Sequence, residues 1–539
     1  MSTPQSTIKI CSGVRLDPRY EHSIYFSSAA AQESYFQAKV VKTFANYTFL
    51  RKSWSIKVQA TMRQAIEVQA WNYLYFRNGD TGKPYYYFIT NIEYISDTTI
   101  EIFLELDVLQ TYLFDFELLP CFIERQHTAT DVIGEHTIDE GLEVGELVTI
   151  EQRNIDPGAL CIMVMSTINP NGTTEETAAP ALPYMYNRVF SGVKIWAVDN
   201  TKWAAWGNQI DVLDELGKTD AILSMWMYPK ALVTLGGGAT WDSAIANPVE
   251  AAVDYKTSPY LYMFSKHYGT LDGYTPKNKK LYCYPFNFAY CTNNEGASAV
   301  YKYERFANGD TTKPMGFTLS GSLSPDGGIH ITPMNYNGIT YNYHEGMLLR
   351  GYPTCAWDSD VYKMWLAQNQ NSQNLAIASG GLKIAAGAVS AVASVATGNV
   401  MGAVGGLAGI ANGAQQIGGI LAQRADMEII PPQAKGGFSA SVNVTDNMLA
   451  FSFYFKCVKA ENARIIDDYF TMYGYKINRV RKPNIAARPA FTYVKTIGCH
   501  IQGGMCTDDI VKIESIFDNG ITFWKNGDKI ADYSQDNAV

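Results

Sequence analysis

From Ile384 to Gln423 the chain runs for 423 − 384 + 1 = 40 positions without a charged residue, and 20 of those positions are Ala or Gly. A helix on a water-soluble surface normally keeps one charged or polar face; this stretch has none. Gly398 and Asn399 stand near its middle and suit a turn. They divide a longer segment into two arms, Asn374 to Thr397 and Val400 to Gln423, of 24 positions each (397 − 374 + 1 and 423 − 400 + 1). A helix of about 20 residues spans the ~30 Å hydrocarbon core of a bilayer. Each arm is therefore long enough to cross if helical, although Lys383 interrupts the first.

The apolar side chains that would enter lipid are Ile384, Val389, Val392 and Val395 before the turn. After it they are Val400, Val404, Leu407, Ile410, Ile417, Ile420 and Leu421. Gly402 and Gly406, and Gly405, Gly409 and Gly413, recur at a spacing of four, which lets helices approach closely. Three readings stay open on these residues alone: a constitutive transmembrane hairpin, a buried core hairpin, and a stored loop released into a membrane. Each glycine weakens a helix by about 1 kcal/mol relative to alanine. That is a poor choice for a permanent core helix and tolerable for a segment that refolds between two environments.

The remainder reads as β-structure with helical insertions. Ile100 to Val108 places apolar residues at every even position, with Glu101, Glu105 and Asp107 between them, the period of a strand with one buried face. Tyr73–Phe76 and Tyr85–Ile89 flank Asn78-Gly79, a hairpin signal. A similar string recurs at Phe306–Pro314; a common turn explains it better than a duplicated unit, since the likeness fades outside the loop. Asp211–Gly217 reads as a helix, and Asn171–Thr174 and Gly236–Gly238 as loops. Strand character returns over Tyr282–Tyr303 around a turn at Asn293–Gly296. Helices are expected over Asp358–Asn374 and Ala460–Tyr475, strands over Gly436–Lys456 and again over 489–533, with Ile521–Trp524 a short strand between two Asn-Gly turns.

Composition narrows the function. Hydrophobic residues make up 47% of the 539 and aromatics 13%, with 35 tyrosines, which suits a sizeable core and pleated sheets. Charged residues are only 18%, in keeping with surface covered by other subunits. The net charge of −9, with no basic stripe, argues against a protein that grips nucleic acid and allows an acidic channel that DNA passes without sticking. Nine scattered cysteines, an odd number at low density, fit assembly in a reducing cytosol. Met1–Ser6 is polar and lacks the apolar core of a secretory signal.

Catalytic signatures are missing. Gly217-Lys218-Thr219 has Val212 where a phosphate-binding loop needs glycine, so it reads as a helix end and a polar turn. His127 and His136 lie beside Glu124 and Glu135, where interface or surface histidines are favoured over a zinc site. Cys499 and Cys506 lack the second pair of a structural zinc site. No nucleophile elbow occurs, and Asp326, Asp358 and Asp360 read as solvated loop carboxylates. The expectation is no enzyme, no metal and no cofactor.

Four stretches, in order, resemble the tail knob, or distal tail-tube, protein of small phi29-like podoviruses that infect Gram-positive bacteria. They are Glu105–Asp115 with Phe122–His127; Tyr274–Asn287; Pro353–Trp357 with Tyr362 and Trp365–Asn369; and Gly474–Asn478 with Arg488-Pro489, Tyr493–Lys495 and Asn519–Trp524. Residues 128–255 match least. The resemblance implies a mainly β, α+β fold in which a β-barrel-like tube body forms a homo-oligomeric ring, a hexamer, at the distal end of the virion's tail. It implies upstream tail and collar proteins as partners. It also implies hydrophobic loops that plug the lumen, then leave it and form a pore in host membrane lipid through which genomic DNA passes. Those loops map here to the segment around Ile384–Gln423. The expected organisation is 1–125, first β part of the tube; 126–255, an inserted knob domain; 256–373, second β part ending in a helix; 374–430, membrane-active loop; 431–539, an α+β part completing the tube. The alternative is a receptor-binding or adaptor tail protein whose Ala/Gly hairpin is only core.

Overall fold

The computed structural model describes residues 6–47, 55–60, 65–79, 81–155, 159–178, 184–186, 189–191, 194–236, 240–241, 249–250, 260–321, 328–349, 354–356, 437–439 and 450–539. These form two compact units. Unit 1 holds residues 1–147, 268–286 and 458–539; unit 2 holds 148–267 and 287–457. The chain thus passes between them at 147/148, 267/268, 286/287 and 457/458.

In unit 1 a six-stranded antiparallel sheet runs in the order Val40–Tyr47, Ser6–Ser12, Trp71–Arg77, Pro84–Ser96, Thr99–Leu106, Ser55–Gln59. Among the described residues its two edge strands do not pair, so it is an open sheet and not a closed barrel. The hairpin expected at Asn78-Gly79 is present, with Tyr73 opposite Phe88 and Arg77 opposite Pro84. Its loop closes through Gly82 N–H on the Asn78 carbonyl at 2.8 Å, with Gly82 at φ +68°, a conformation that glycine adopts without strain. Both faces of the sheet are covered. Ile8, Ile10, Leu74, Phe76, Ile100, Ile102 and Leu104 fill one side, and Tyr73, Tyr75, Tyr86 and Phe88 the other. The alternation read from Ile100 onward holds to Leu106; then Asp107 leaves the strand and caps a helical turn, Val108–Tyr112.

A five-stranded sheet, His22–Ile24, Ile521–Trp524, Phe491–Ile497, Cys121–Gln126, Tyr475–Arg481, and a two-stranded ladder of Phe116–Leu118 with Ile501–Gly503 also belong to unit 1. Helix Ala460–Tyr473 stands where the sequence predicted it, and Ile521–Trp524 is the expected short strand. Two helices depart from the sequence reading. Ala29–Ala38 interrupts the first β region, its amino end capped by Ser28 accepting from Ala31 N–H at 3.2 Å. Thr507–Asn519 lies where only strand was expected; its β-branched residues suggest a strand, but Ile513, Ile516 and Phe517 form one buried helical face.

Unit 2 contains three larger antiparallel sheets. One joins Leu147–Ile155, Phe451–Val458, Asn287–Thr292 and Ser298–Tyr301, with the expected turn at Asn293–Gly296 between the last two. Another runs Tyr260–Phe264, Met315–Gly321, Ile329–Tyr336, Ile339–Tyr341, with Met347–Leu349 also on the third strand. Between them Phe317 sits 4.8 Å from Phe453 and 4.9 Å from Tyr301, ring centre to ring centre. The third sheet carries the candidate site. The Phe306–Pro314 string links strands of different sheets, with Ala307, Asn308 and Gly309 at positive φ, so it is not a second copy of the hairpin at 78–83. Helix Trp203–Glu215 is longer than the expected Asp211–Gly217 and ends before the polar turn.

Candidate functional site

The third sheet of unit 2 runs Val249–Glu250, Lys194–Asp199, Leu160–Ser166, Ile222–Pro229, Thr354–Ala356, Gly437–Ser439. Its central strands are continuous apolar runs, Leu-Cys-Ile-Met-Val-Met and Ile-Leu-Ser-Met-Trp-Met-Tyr, as expected for strands covered on both faces. Cys161, Met163, Ala197, Trp226 and Tyr228 are buried together. At the end of Lys194–Asp199, Asp199 receives Lys230 Nζ at 2.6 Å and Thr201 N–H at 2.9 Å. Burial pushes this carboxyl up, but the Lys230 and Thr201 contacts outweigh it and hold it below the usual carboxylate range.

On the strand Ile222–Pro229 rests a pair of short strands. Trp226 lies opposite Thr354 and Ser224 opposite Ala356; Thr354 then lies opposite Ser439, and Ala356 opposite Gly437. Residues at paired positions of an antiparallel ladder have Cα atoms about 5 Å apart. The intervening stretch, 357–436, has 437 − 356 − 1 = 80 residues, and both its ends stand at one point of one sheet. The expected loop residues, Ile384 to Leu421, and the helix expected over Asp358–Asn374 lie outside the described residues. Among the described residues no helix is long and apolar enough to cross a membrane.

The other residues singled out in the sequence have structural partners. His127 accepts Tyr493 N–H on Nδ1 at 2.8 Å, and its Nε2 faces the Thr471 carbonyl at 3.0 Å. This fixes the neutral tautomer with its proton on Nε2. Burial, helped by the positive Arg488, pushes the ring down to about 3. His136 Nε2 meets the Thr130 carbonyl at 3.1 Å, Glu124 pairs with Lys495 at 2.9 Å, and the Glu135 carboxylate accepts from the Thr130 hydroxyl at 2.9 Å. No metal-holding group of three His, Cys, Asp or Glu forms among the described residues. Lys218 donates to the Glu175 and Ala178 carbonyls at 2.9 and 3.1 Å, an engagement unlike that of a phosphate-loop lysine.

The sequence reading missed a set of buried polar crosslinks in unit 1. Asp467, on helix Ala460–Tyr473, accepts from Tyr274 hydroxyl and Lys277 N–H at 2.7 Å each and from Asn278 N–H at 3.0 Å. Glu140 is buried between Arg125 and Lys280 and pairs with both. Burial lowers the Lys280 ammonium, and Glu140 works against it. Arg125 also donates to the Gly474 carbonyl at 2.7 Å. Gln110 donates to the Ile24 carbonyl at 2.8 Å and accepts from Gln32 at 2.9 Å. Three of the four stretches that carry the resemblance therefore supply residues that join distant parts of unit 1. The legible signal was a polar residue inside a motif with no chemical role of its own.

Comparison with known proteins agrees with this architecture. Residues 251–538 match the family model for the C-terminal domain of the Bacillus phage phi29 tail knob protein gp9, more than half of the chain. This chain belongs to the phage tail knob family. Residues 4–117 match the model for the caudoviral major tail protein N-terminus, the region of the open six-stranded sheet. Tail knob proteins gp9 of Bacillus phages B103 and PZA are each 26% identical to it, over 99% of this chain and 98% of theirs. Among solved structures, the bacteriophage C1 tail knob protein gp12 has the same fold, with a TM-score of 0.63 at 12% identity over 98% of both chains. The role of a tail knob protein is structural and not enzymatic.

Proposed function

We propose that this tail knob protein forms a hexameric tube at the distal end of the tail, and that its segment 374–430 is a hairpin kept from water until infection, then transferred into the host cytoplasmic membrane as a pore for DNA. The observation that carries this reading is the pairing of Ala356 with Gly437 at the foot of an 80-residue segment. A segment whose ends meet at one pair of strands can change its environment without pulling either end out of the sheet. The midpoint of 357–436 is (357 + 436)/2 = 396.5, within three positions of both Gly398 and Asn399, so the arms on either side of that turn are nearly equal.

Arg424 directly follows the second arm, where its long stem suits the edge of a bilayer; Lys383 is the tenth residue of the first arm. Inside lipid the backbone must satisfy its own hydrogen bonds, which favours two helices. Each large apolar side chain removed from water contributes about 1.5–3 kcal/mol to insertion. Before release, apolar arms exposed on a single subunit would aggregate, and a ring lumen plugged by its own arms shields them. Upstream tail and collar proteins would hold the other end of the tube, and DNA would traverse it without specific contacts.

The test replaces 384–423 by a short Gly/Ser turn. Dye leakage from liposomes is expected to vanish, while size-exclusion and negative-stain imaging show the same ring as the parent. If the shortened protein permeabilises vesicles as well as the parent, the hairpin is not the membrane-active part. Resistance of the segment to proteolysis until global unfolding would favour the core-hairpin alternative.

A further inference from the structure

In unit 1 a cleft of about 350 Å³ opens beside the segment Tyr533–Ala538. Arg488 lines it and is only 4% exposed. Its Nη1 donates to the Asn537 carbonyl at 3.3 Å, and its shielded Nε has no hydrogen-bond partner. Among the described residues no carboxylate forms an ion pair with it. This is unusual for the unit: Arg125 and Lys280, the other cations buried there, both rest on Glu140. A buried guanidinium without a counter-charge is costly, and an oxyanion relieves that cost by pairing two N–H groups at once.

The surroundings suit an anion. Lys277, exposed at the rim, adds a second positive charge. His127 is neutral and both its ring nitrogens are engaged elsewhere, so it neither repels nor competes. Ser534 and Gln535 also line the cleft, but their side-chain donors are engaged, Ser534 by the Asp532 carboxylate and Gln535 by the Lys529 and Asp532 carbonyls, so the two cations carry the site. Asp536, exposed on the rim, is the one carboxylate among the lining residues, against two fixed cations.

We infer that this cleft is a binding site for a phosphate group, free or esterified, held by the guanidinium of Arg488 and the ammonium of Lys277. The volume admits a phosphate carrying a small alcohol. Arg488 provides the planar fork and Lys277 the point charge, a division of labour that suits a tetrahedral oxyanion of charge −1 to −2.

The experiment uses the full chain. Thermal unfolding is followed with inorganic phosphate, glycerol 3-phosphate or acetate added at constant ionic strength, and affinities are measured by calorimetry. Phosphate is expected to raise the midpoint progressively, as a ligand of the native state does, and acetate to do so much less. Lys277→Ala, a change at an exposed residue, is expected to weaken phosphate binding at least five-fold without altering the unliganded midpoint. Arg488→Lys is expected to abolish binding; should it fail to fold, Lys277→Ala still decides. Tighter binding of the ester names an esterified phosphate as the occupant, and tighter binding of the inorganic ion names the free anion. An equal response to acetate, no response beyond matched chloride, or unchanged affinity in Lys277→Ala overturns the site.

Discussion

Both units have apolar cores rich in aromatic rings, but they differ in how much charge is buried within them. Unit 1 is tied by buried polar groups whose partners lie far apart in the chain: Asp467 with Asn278, Glu140 with Lys280, Gln110 with Gln32. Unit 2 buries fewer charged groups among the described residues, Asp199 and Glu304, and packs Phe264, Tyr301, Phe306, Phe317, Tyr336 and Phe453 as tilted and edge-to-face rings near a methionine-rich sheet. A satisfied polar crosslink accepts one arrangement and strongly penalises others, because a lost partner leaves a buried charge or dipole unpaired. The unit that carries the 80-residue segment is, among the described residues, the one with fewer buried charges.

That contrast can be broken. Glu140→Ala removes the shared counter-charge of two buried cations and should cost about 3–5 kcal/mol. Urea unfolding reads it directly; a loss under about 1 kcal/mol would mean the triad contributes no more than an exposed pair. In unit 2, Phe317→Leu should cost less, roughly 1–2 kcal/mol, since an apolar side chain of similar size replaces the ring and only its aromatic partners are lost. If this change proves as damaging as Glu140→Ala, the ring contacts of unit 2 hold it as strongly as the buried charges hold unit 1.

The smallest effect is on pH dependence. Burial raises Asp107 to about 6, although Gln110 N–H and the Tyr73 hydroxyl oppose it. The fold therefore favours its protonated form: this contribution is complete below the ordinary value of 3.8 and is lost as pH rises through about 6. His127 acts in the reverse sense. Its folded value of about 3 lies below the ordinary 6.5, so its contribution is present above 6.5 and is lost as pH falls toward 3. The two oppose each other on acidification from neutral pH. Asp107→Asn removes one side, so its urea midpoint should fall more steeply than the parent's between pH 6.5 and 4. Equal slopes would show that Asp107 does not titrate in this window.

Much of the fold was legible because it is written at short range. The alternation from Ile100 to Leu106, the hairpin at Asn78-Gly79, the turn at Asn293–Gly296 and helix Ala460–Tyr473 each follow from residues two to four positions apart. Thr507–Asn519 was misread because its isoleucines and valine favour a strand, although an acidic first turn and the spacing of Ile513, Ile516 and Phe517 fit a helix. Asp107 looked like a solvent-face residue of a strand; its burial depends on Tyr73 and Gln110 closing over it.

The sequence alone determined that forty consecutive positions, 384–423, carry no charge, and that the residues around them have strand and helix periods. Charge and period are properties of neighbours along the chain and need no fold to be read. Only the tertiary structure decided that Ala356 and Gly437 stand side by side, that Asp467 receives Tyr274 and Asn278, and that Arg488 is buried without a carboxylate. Those facts join residues up to nearly two hundred positions apart, and no local pattern records which distant group will satisfy a buried one.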